Sequence, residues 1–255
     1  MPLFTTHDGA RLRYREAGAG RAGSPLLFIH GAGASSAVWL GTMHRLARSR
    51  RCVALDLPGH GRSEGRVASI AEMRDAVGLV AGTLCLGPSV LVGHSMGGLI
   101  AIAAALAWPD KIAGLVLVGS AARIGVGEPF LKVVRDEWAR WPRFLAEGAY
   151  SPETPAEVRR RGAGIACAAS HEQTLADYVA LAQVDFRARL AELRTPTLVV
   201  HGVHDVMALP KWGAAAAGAI EGARYLELPR CGHMPMHEQP EALAEALRGF
   251  GVTTS

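Results

Sequence analysis

Short apolar segments alternate along this chain with longer segments whose apolar residues recur at helical spacing. The short segments have the length of buried strands, and helix-forming stretches separate most of them. The predicted strands are one ahead of a turn at His7–Asp8–Gly9, then Arg11–Glu16, Leu26–Ile29, Cys52–Asp56, Val90–Gly93, Gly114–Gly119, Thr197–His201 and Arg224–Leu228. Because strands that alternate with helices favour crossover connections, we predict an α/β fold with a mostly parallel, doubly wound sheet.

The alternation of strands and helices stops once, from residue 122 to residue 194. This stretch has no convincing strand, whereas Thr154–Glu157 and Ser170–Gln173 both fit the capping box with which helices begin. We predict a helical cap at residues 122–194, inserted after the sixth strand. The remaining segments, 1–121 and 195–255, would form the α/β core.

Large apolar side chains recur at helical spacing inside the predicted cap. They are Phe130, Val134, Trp138, Trp141 and Leu145. This spacing gathers the five side chains on one face of a helix. Pro142 is expected to kink or end that helix, because proline removes a backbone donor and clashes with the preceding turn.

The segment VLVGHSMGG carries a serine between two close glycines, where an apolar strand gives way to a helix predicted at Gly97–Ala107. So tight a turn requires almost no side chain two positions before and after the serine, and Gly93 and Gly97 meet that requirement. Such a nucleophile elbow exposes the Ser95 hydroxyl, and the Met96 N–H at the helix N-terminus can stabilise an oxyanion. Taken alone, the segment could also be a glycine-rich turn without chemistry.

A serine hydroxyl is a poor nucleophile at neutral pH, so it requires a histidine base oriented by a carboxylate. Asp205 follows one late strand and His233 follows the next, at strand ends where parallel sheets gather functional groups. The chain order Ser95, Asp205, His233 is the order expected of a triad in this architecture. His237 is the one rival base, and we favour His233 because Gly232 places it in a loop just past the last strand.

Four motifs in this chain resemble those of the α/β-hydrolase fold family, especially small esterases, lactonases and carbon–carbon hydrolases. They are GHSMGG at 93–98, HGAG at 30–33, DLPGHGRS at 56–63 and GHMPMHEQPE at 232–241, so the likeness covers nearly the whole chain. The resemblance implies a second oxyanion donor, the backbone N–H of Ala32, beside that of Met96. A triad of this kind requires no metal, and we predict no cofactor.

The predicted reaction is two-step acyl transfer, in which Ser95 attacks a carbonyl and an activated water releases the acyl-enzyme. The substrate would be a small, largely apolar carboxylic ester, thioester or lactone. The candidate substrate contacts are His30, Gly31, Phe130, Trp138 and Trp141. The aromatic stripe is also compatible with simple packing of the cap onto the core. Carbon–carbon bond hydrolysis of ring-cleavage products and acyl transfer are the alternative reactions.

Two other classes of function compete with hydrolysis. The HGAG turn between two strands, the second ending at Asp56, outlines a dinucleotide-binding unit, but Ser36 stands where its third glycine would be. A ligand receptor with this fold and no turnover is the other class, and the complete triad argues against it. We therefore predict an enzyme whose partner is a small ester-type molecule.

Charge and composition exclude several partners. The net charge of +4 is modest, and the dense basic run Arg159–Arg161 is too short to predict a nucleic-acid surface. No apolar run is long enough to span a bilayer, and the N-terminus lacks the pattern of a secretory signal. Four cysteines without close pairing favour free thiols in a reducing compartment. We expect a cytoplasmic monomer or homodimer without nucleic-acid or membrane partners.

Overall fold

An eight-stranded sheet forms the centre of the structure, a computed structural model that describes residues 3–5, 10–66 and 68–250. Its strands are β1 (Leu3–Thr5), β2 (Arg11–Ala17), β3 (Leu26–Ile29), β4 (Cys52–Leu55), β5 (Ser89–His94), β6 (Ile112–Val118), β7 (Thr197–Gly202) and β8 (Arg224–Leu228). They lie in the order β1-β2-β4-β3-β5-β6-β7-β8. The pairs β1–β2 and β2–β4 are antiparallel, and every other pair is parallel.

Helices cover both faces of this sheet, which buries its central strands on both sides. The helices are α1 (Leu40–Leu46), α2 (Ile70–Thr83), α3 (Met96–Ala107), α4 (Glu128–Asp136), α5 (Trp141–Gly148), α6 (Ala156–Ala166), α7 (His171–Ala182), α8 (Pro210–Ala219), α9 (Pro235–Glu238) and α10 (Pro240–Gly249). Leu27 and Ile29 of β3 point into the apolar cluster on one face, and Leu26 and Phe28 point into the other. The predicted α/β fold with a mostly parallel, doubly wound sheet is confirmed.

The stretch predicted as a cap contains α4 to α7 and no strand, and we call residues 122–194 the helical insert. Its boundaries as a domain stay a prediction. The prediction of one helix running through the aromatic stripe as far as Pro142 is wrong. The chain leaves α4 after Asp136, makes a short 3-10 turn at Trp138–Arg140 and starts α5 at Trp141. Pro142 therefore lies in the first turn of α5, where its missing N–H costs no hydrogen bond.

The two predicted helix caps have different outcomes. Ser170 caps α7 as expected, because its side chain accepts a hydrogen bond from the Gln173 N–H at 3.1 Å. Thr154 does not cap α6, whose N-cap residue is Pro155. Its hydroxyl instead donates to Glu238 Oε2 at 2.5 Å, so a long-range contact has displaced the local one.

The remaining predicted features differ little from the structure. Strand ends shift by one or two residues; Gly119, for example, adopts a φ of +53° and lies outside β6. The predicted turn at His7–Asp8–Gly9 lies outside the described residues. Within the part of the chain that the structure describes, no helix has both the length and the apolar character needed to cross a membrane.

Candidate active site

Ser95 lies directly after β5, at the first turn of α3, with φ of 51° and ψ of −118°. This region of backbone space is uncommon for a residue with a side chain, and it is the strained turn of a nucleophile elbow. A Cβ on Gly93 would overlap the carbonyl oxygen of Gly97, and one on Gly97 would overlap that of Ile29. The close approach of strand and helix is therefore possible only with glycine at both positions.

Three hydrogen bonds hold the main chain of Ser95. Its N–H donates to Val118 O at 3.0 Å, and its carbonyl oxygen accepts from the Gly98 N–H at 2.9 Å. The Ser120 hydroxyl donates to the same carbonyl oxygen at 2.8 Å. A Cβ on Gly98 would overlap Ser120 Oγ. The hydrogen bond from Ser120 therefore requires glycine at position 98 as well.

Asp205 and His233 come from the loops after β7 and β8 and meet in a buried pair. His233 Nδ1–H donates to Asp205 Oδ2 at 2.8 Å. Asp205 Oδ1 accepts from the N–H groups of Met207 at 2.9 Å and Ala208 at 2.8 Å. Because the carboxylate occupies Nδ1, the other ring nitrogen, Nε2, is left for the cavity that His233 lines.

Glu238, at the end of α9, organises the loop that carries His233. Its Oε1 accepts from the N–H groups of Gly232 at 2.8 Å and Met234 at 3.3 Å. Its Oε2 accepts from the Ser151 N–H at 2.8 Å and from the Thr154 hydroxyl. One carboxylate therefore connects both neighbours of His233 to the helical insert.

His94 packs against the His233 ring and is not among the residues that line that cavity. Its Nε2–H donates to the main-chain oxygen of His233 at 2.9 Å, and the two rings lie 4.7 Å apart. Burial lowers the pKa of His94 well below its ordinary value, and nearby His233 lowers it further. His94 is therefore a neutral donor near neutral pH.

Ser95 and His233 open onto the same cavity of about 220 Å³. Its lining is mostly apolar and consists of Ser95, Ile124, Gly125, Val126, Gly127, Phe130, Phe144, Gly148, Tyr178, Leu181, Val206, Met207 and His233. Over the described chain, the Ser95 hydroxyl makes no hydrogen bond to protein. Such nucleophile–base contacts commonly tighten only when substrate binds.

Only one of the three predicted aromatic contacts lines this cavity, namely Phe130. Trp141 is fully buried behind it, with ring centroids 5.3 Å apart and the rings nearly perpendicular. Trp138 lies away from the cavity and stacks on His171 at 4.8 Å. Both tryptophans pack against other aromatic side chains in the structure, and their role as substrate contacts stays a prediction.

The predicted substrate contacts His30 and Gly31 also lie outside the cavity lining. His30 Nδ1–H donates to Gly31 O at 2.8 Å, and its Nε2 accepts from the Leu57 N–H at 3.1 Å. Burial and nearby His60 lower the pKa of His30 to about 3, so the ring is neutral. His30 is a structural residue of the HGAG loop, because both ring nitrogens are used within the core.

Ala32 and Met96, which carry the two predicted oxyanion donors, are not among the residues that line the cavity. Ala32 follows β3 in the HGAG loop, and Met96 is the first residue of α3. Neither N–H donates to another group in the described part of the protein. Gly33, the residue after Ala32, has a φ of +68°, and its N–H donates to Asp177 Oδ2 at 2.8 Å.

The rival base His237 is occupied elsewhere. Its Nδ1 lies 2.9 Å from the Tyr150 hydroxyl, and burial lowers its pKa to about 4. It does not line the cavity. Cys231, two residues before His233, is fully buried, and burial raises the pKa of its thiol. Among the described residues, no three His, Cys, Asp or Glu side chains are grouped to hold a metal ion.

The fold and these motifs match a known family. The sequence profile of the alpha/beta hydrolase family covers residues 26–246. The chain belongs to this family. The prediction of a member of the esterase and lactonase type is confirmed at the level of the family and its relatives.

Three proteins illustrate the range of those to which this chain is similar. The pimeloyl-[acyl-carrier protein] methyl ester esterase of Edwardsiella ictaluri is 30% identical over 94% of this chain and 96% of its own length. The 2-hydroxymuconate semialdehyde hydrolase of Pseudomonas sp. strain CF600 is 31% identical over 95% and 90%. The crystal structure of the enol-lactonase from Burkholderia xenovorans LB400 aligns with a TM-score of 0.89, at 26% identity, over 98% and 99%.

Proposed function

We propose that this protein is a serine hydrolase that cleaves a small, largely apolar carboxylic ester, thioester or lactone through an acyl-enzyme on Ser95. One observation carries the proposal: Ser95 on a strained elbow shares a cavity with His233, whose Nδ1 is held by Asp205 at 2.8 Å. A nucleophile, a base and a group that orients the base are the parts that acyl transfer requires.

Each residue has a defined role in the proposed reaction. Ser95 Oγ attacks the substrate carbonyl while His233 Nε2 takes its proton, and Asp205 stabilises the resulting imidazolium. The N–H groups of Ala32 and Met96 hold the oxyanion, and one such donor contributes about 3–4 kcal/mol to transition-state stabilisation. His233 then protonates the leaving group. Water, activated by the same histidine, releases the acyl group from Ser95 in the second step.

The cavity supports a short acyl group. Its volume of about 220 Å³ is below the range of about 300–1,000 Å³ typical of pockets for drug-sized ligands. Phe130, Phe144 and Leu181 give it an apolar wall. We propose that residues 122–194 act as the cap that supplies this wall and that the reaction proceeds in the cytoplasm without a cofactor or a macromolecular partner.

Carbon–carbon bond hydrolysis is the second candidate reaction. It is favoured by the similarity to the 2-hydroxymuconate semialdehyde hydrolase, which extends over 95% of this chain. The same three residues serve both reactions in outline, since each passes through an oxyanion at a carbonyl carbon. The substrate rather than the site therefore separates the two candidates.

The test is the initial rate of hydrolysis of p-nitrophenyl esters from acetyl to dodecanoyl, with an acyl-thioester and a ring-cleavage dienoate in parallel. Ser95→Ala should lose about four powers of ten or more in kcat, whereas Ser49→Ala on the surface should retain the parent rate. We expect an optimum at short acyl chains. Dependence on Ser95 only with the dienoate would select carbon–carbon hydrolysis, and no dependence on Ser95 with any substrate would refute a serine hydrolase.

A further inference from the structure

A fully buried carboxylate connects the helical insert to the core at the HGAG loop. Asp177 on α7 has no exposed surface. Its Oδ2 accepts from the Gly33 N–H at 2.8 Å and from His60 Nε2–H at 2.7 Å. Its Oδ1 accepts from the Gln173 side-chain amide at 2.9 Å. The carboxylate thus receives three hydrogen bonds from three separate segments of the chain.

The partner His60 is fully buried against this carboxylate. Its Nε2 faces the Asp177 carboxylate, and its Nδ1 lies 3.0 Å from Pro58 O, which can only accept. The result is a buried histidine–carboxylate pair without solvent exposure.

Both polar groups of the Gly33 main chain are bound by the helical insert. Its N–H donates to Asp177, and its carbonyl oxygen accepts from the N–H groups of Ala168 and Ala169, each at 2.9 Å. A Cβ on Gly33 would lie 3.0 Å from the Thr174 side chain, so α7 also packs closely against this residue. These contacts fix the Ala32–Gly33 peptide and so restrain, through the Cα of Ala32, the preceding peptide that carries the Ala32 N–H.

We propose that Asp177 is a positioning residue through which the helical insert holds the Ala32 N–H in the orientation that stabilises the oxyanion. The inference rests on the proposed function, in which Ala32 is one of the two oxyanion donors. The insert then helps to position an oxyanion donor, in addition to lining the cavity. Its contribution is realised in the transition state, since the oxyanion does not exist in the bound substrate.

Stability alone is a weak reason for this buried pair. Ionisable groups lose their hydration when they are buried, and replacing such pairs with apolar side chains of similar volume is often neutral or stabilising. A purely structural contact at this position could therefore be apolar. An apolar side chain, however, could not accept a hydrogen bond from the Gly33 N–H.

The primary test compares Asp177→Asn with the parent enzyme. Asparagine keeps the size of the side chain but replaces one of the two acceptor oxygens, which bind Gly33, His60 and Gln173, with an amide donor. We expect kcat per active site to fall about tenfold or more, with KM within about threefold, as for an interaction made only in the transition state. Affinity for a trifluoromethyl ketone, which forms an oxyanion adduct with the serine, should fall by the same factor as kcat/KM.

Active sites are counted by titration with a fluorophosphonate, so that unfolded protein does not lower kcat. Glu172→Gln is the matched control, because Glu172 lies on the same helix and also bridges to the core, through an exposed ion pair with Arg66. It should leave kcat and ketone affinity unchanged. If Asp177→Asn lowers only the melting temperature, with kcat per active site and ketone affinity unchanged, Asp177 does not position the donor.

A second variant separates positioning from folding if Asp177→Asn unfolds. Asp177→Leu combined with His60→Met replaces the buried pair with apolar side chains of similar size, so the fold should persist while Gly33 loses its acceptor. A loss of kcat and ketone affinity in this variant supports the inference, and parent values for both refute it. Failure of the proposed function is distinguishable, because the parent enzyme would then show no hydrolysis that depends on Ser95.

Discussion

The two sides of the cavity are built on different physical principles. On the side of Ser95, the proposed nucleophile, which we call the nucleophile side, the main chain is held by close approach of backbone to backbone, which Gly93, Gly97 and Gly98 permit. On the base side, His233 is held by carboxylates that gather N–H groups, namely Asp205 and Glu238. The nucleophile side should therefore be sensitive to added atoms, and the base side to lost charge and lost hydrogen bonds.

The largest effect is expected from adding one carbon atom on the nucleophile side. In Gly93→Ala the new Cβ would overlap the carbonyl oxygen of Gly97, and backbone cannot rotate away as a side chain can. We expect a loss of at least about 3 kcal/mol in the free energy of unfolding, measured by urea denaturation, or no soluble protein. Gly164→Ala is the control, because nothing lies near its Cβ, and it should stabilise α6 by up to about 1 kcal/mol. Similar stabilities for the two variants would contradict steric control of the elbow.

The base side should respond to loss of charge in its kinetics. Asp205→Asn preserves shape, but its amide group can face His233 Nδ1 as a donor and stabilise the wrong tautomer. We expect kcat for ester hydrolysis to fall about 10³–10⁴-fold, with a much smaller change in melting temperature than in Gly93→Ala. A kcat within tenfold of the parent value would remove Asp205 from the proposed triad.

Glu238→Gln tests the outer layer of the same side. An amide has one acceptor oxygen, so either the Gly232 and Met234 N–H groups or the Ser151 N–H would face another donor. An unsatisfied donor at a partly buried site costs about 1–3 kcal/mol, and the displaced loop should lower kcat about tenfold. The same substitution at Glu241, whose ion pair with Arg45 is exposed, should change neither kcat nor melting temperature. Equal behaviour of the two variants would show that Glu238 does not organise the loop.

The smallest effect is expected from Ser120→Ala on the nucleophile side. The variant removes the hydroxyl donor to Ser95 O, but the Gly98 N–H still donates to that oxygen. A net hydrogen bond contributes about 1 kcal/mol, so kcat should fall by less than tenfold and the melting temperature only slightly. A fall in kcat as large as that expected of Asp205→Asn would assign Ser120 to the reaction itself. The two sides of the cavity would then not differ in their sensitivity to lost hydrogen bonds.

Local patterns predicted the parts of the site whose geometry depends on neighbours in sequence. The elbow required small residues two positions either side of Ser95, and the structure has the corresponding strained turn. Strand ends predicted Asp205 and His233 as neighbours, because parallel strands deliver the residues after them to one edge of the sheet. Their hydrogen bond at 2.8 Å follows that topology.

The helical insert was predicted less well, since its details depend on packing. Spacing alone predicted one continuous helical face for Phe130, Trp138 and Trp141. The helix instead ends before Trp138, and of these three side chains only Phe130 lines the cavity. Asp177 was missed, although an aspartate among the apolar residues of α7, four positions after Gln173, was an available signal. Its partners Gly33 and His60 are more than a hundred residues away in sequence.

The sequence by itself determined the order of strands and helices, the elbow and the chain order of the three proposed catalytic residues. These follow from short-range sterics and from the hydrophobic period, both of which can be read within a window of a few residues. Tertiary structure decided the shape of the cavity, the packing roles of Trp138 and Trp141, and the contacts of Asp177 and Glu238. Those depend on which distant segments meet, because a buried polar group takes whichever partner the assembled fold brings within reach.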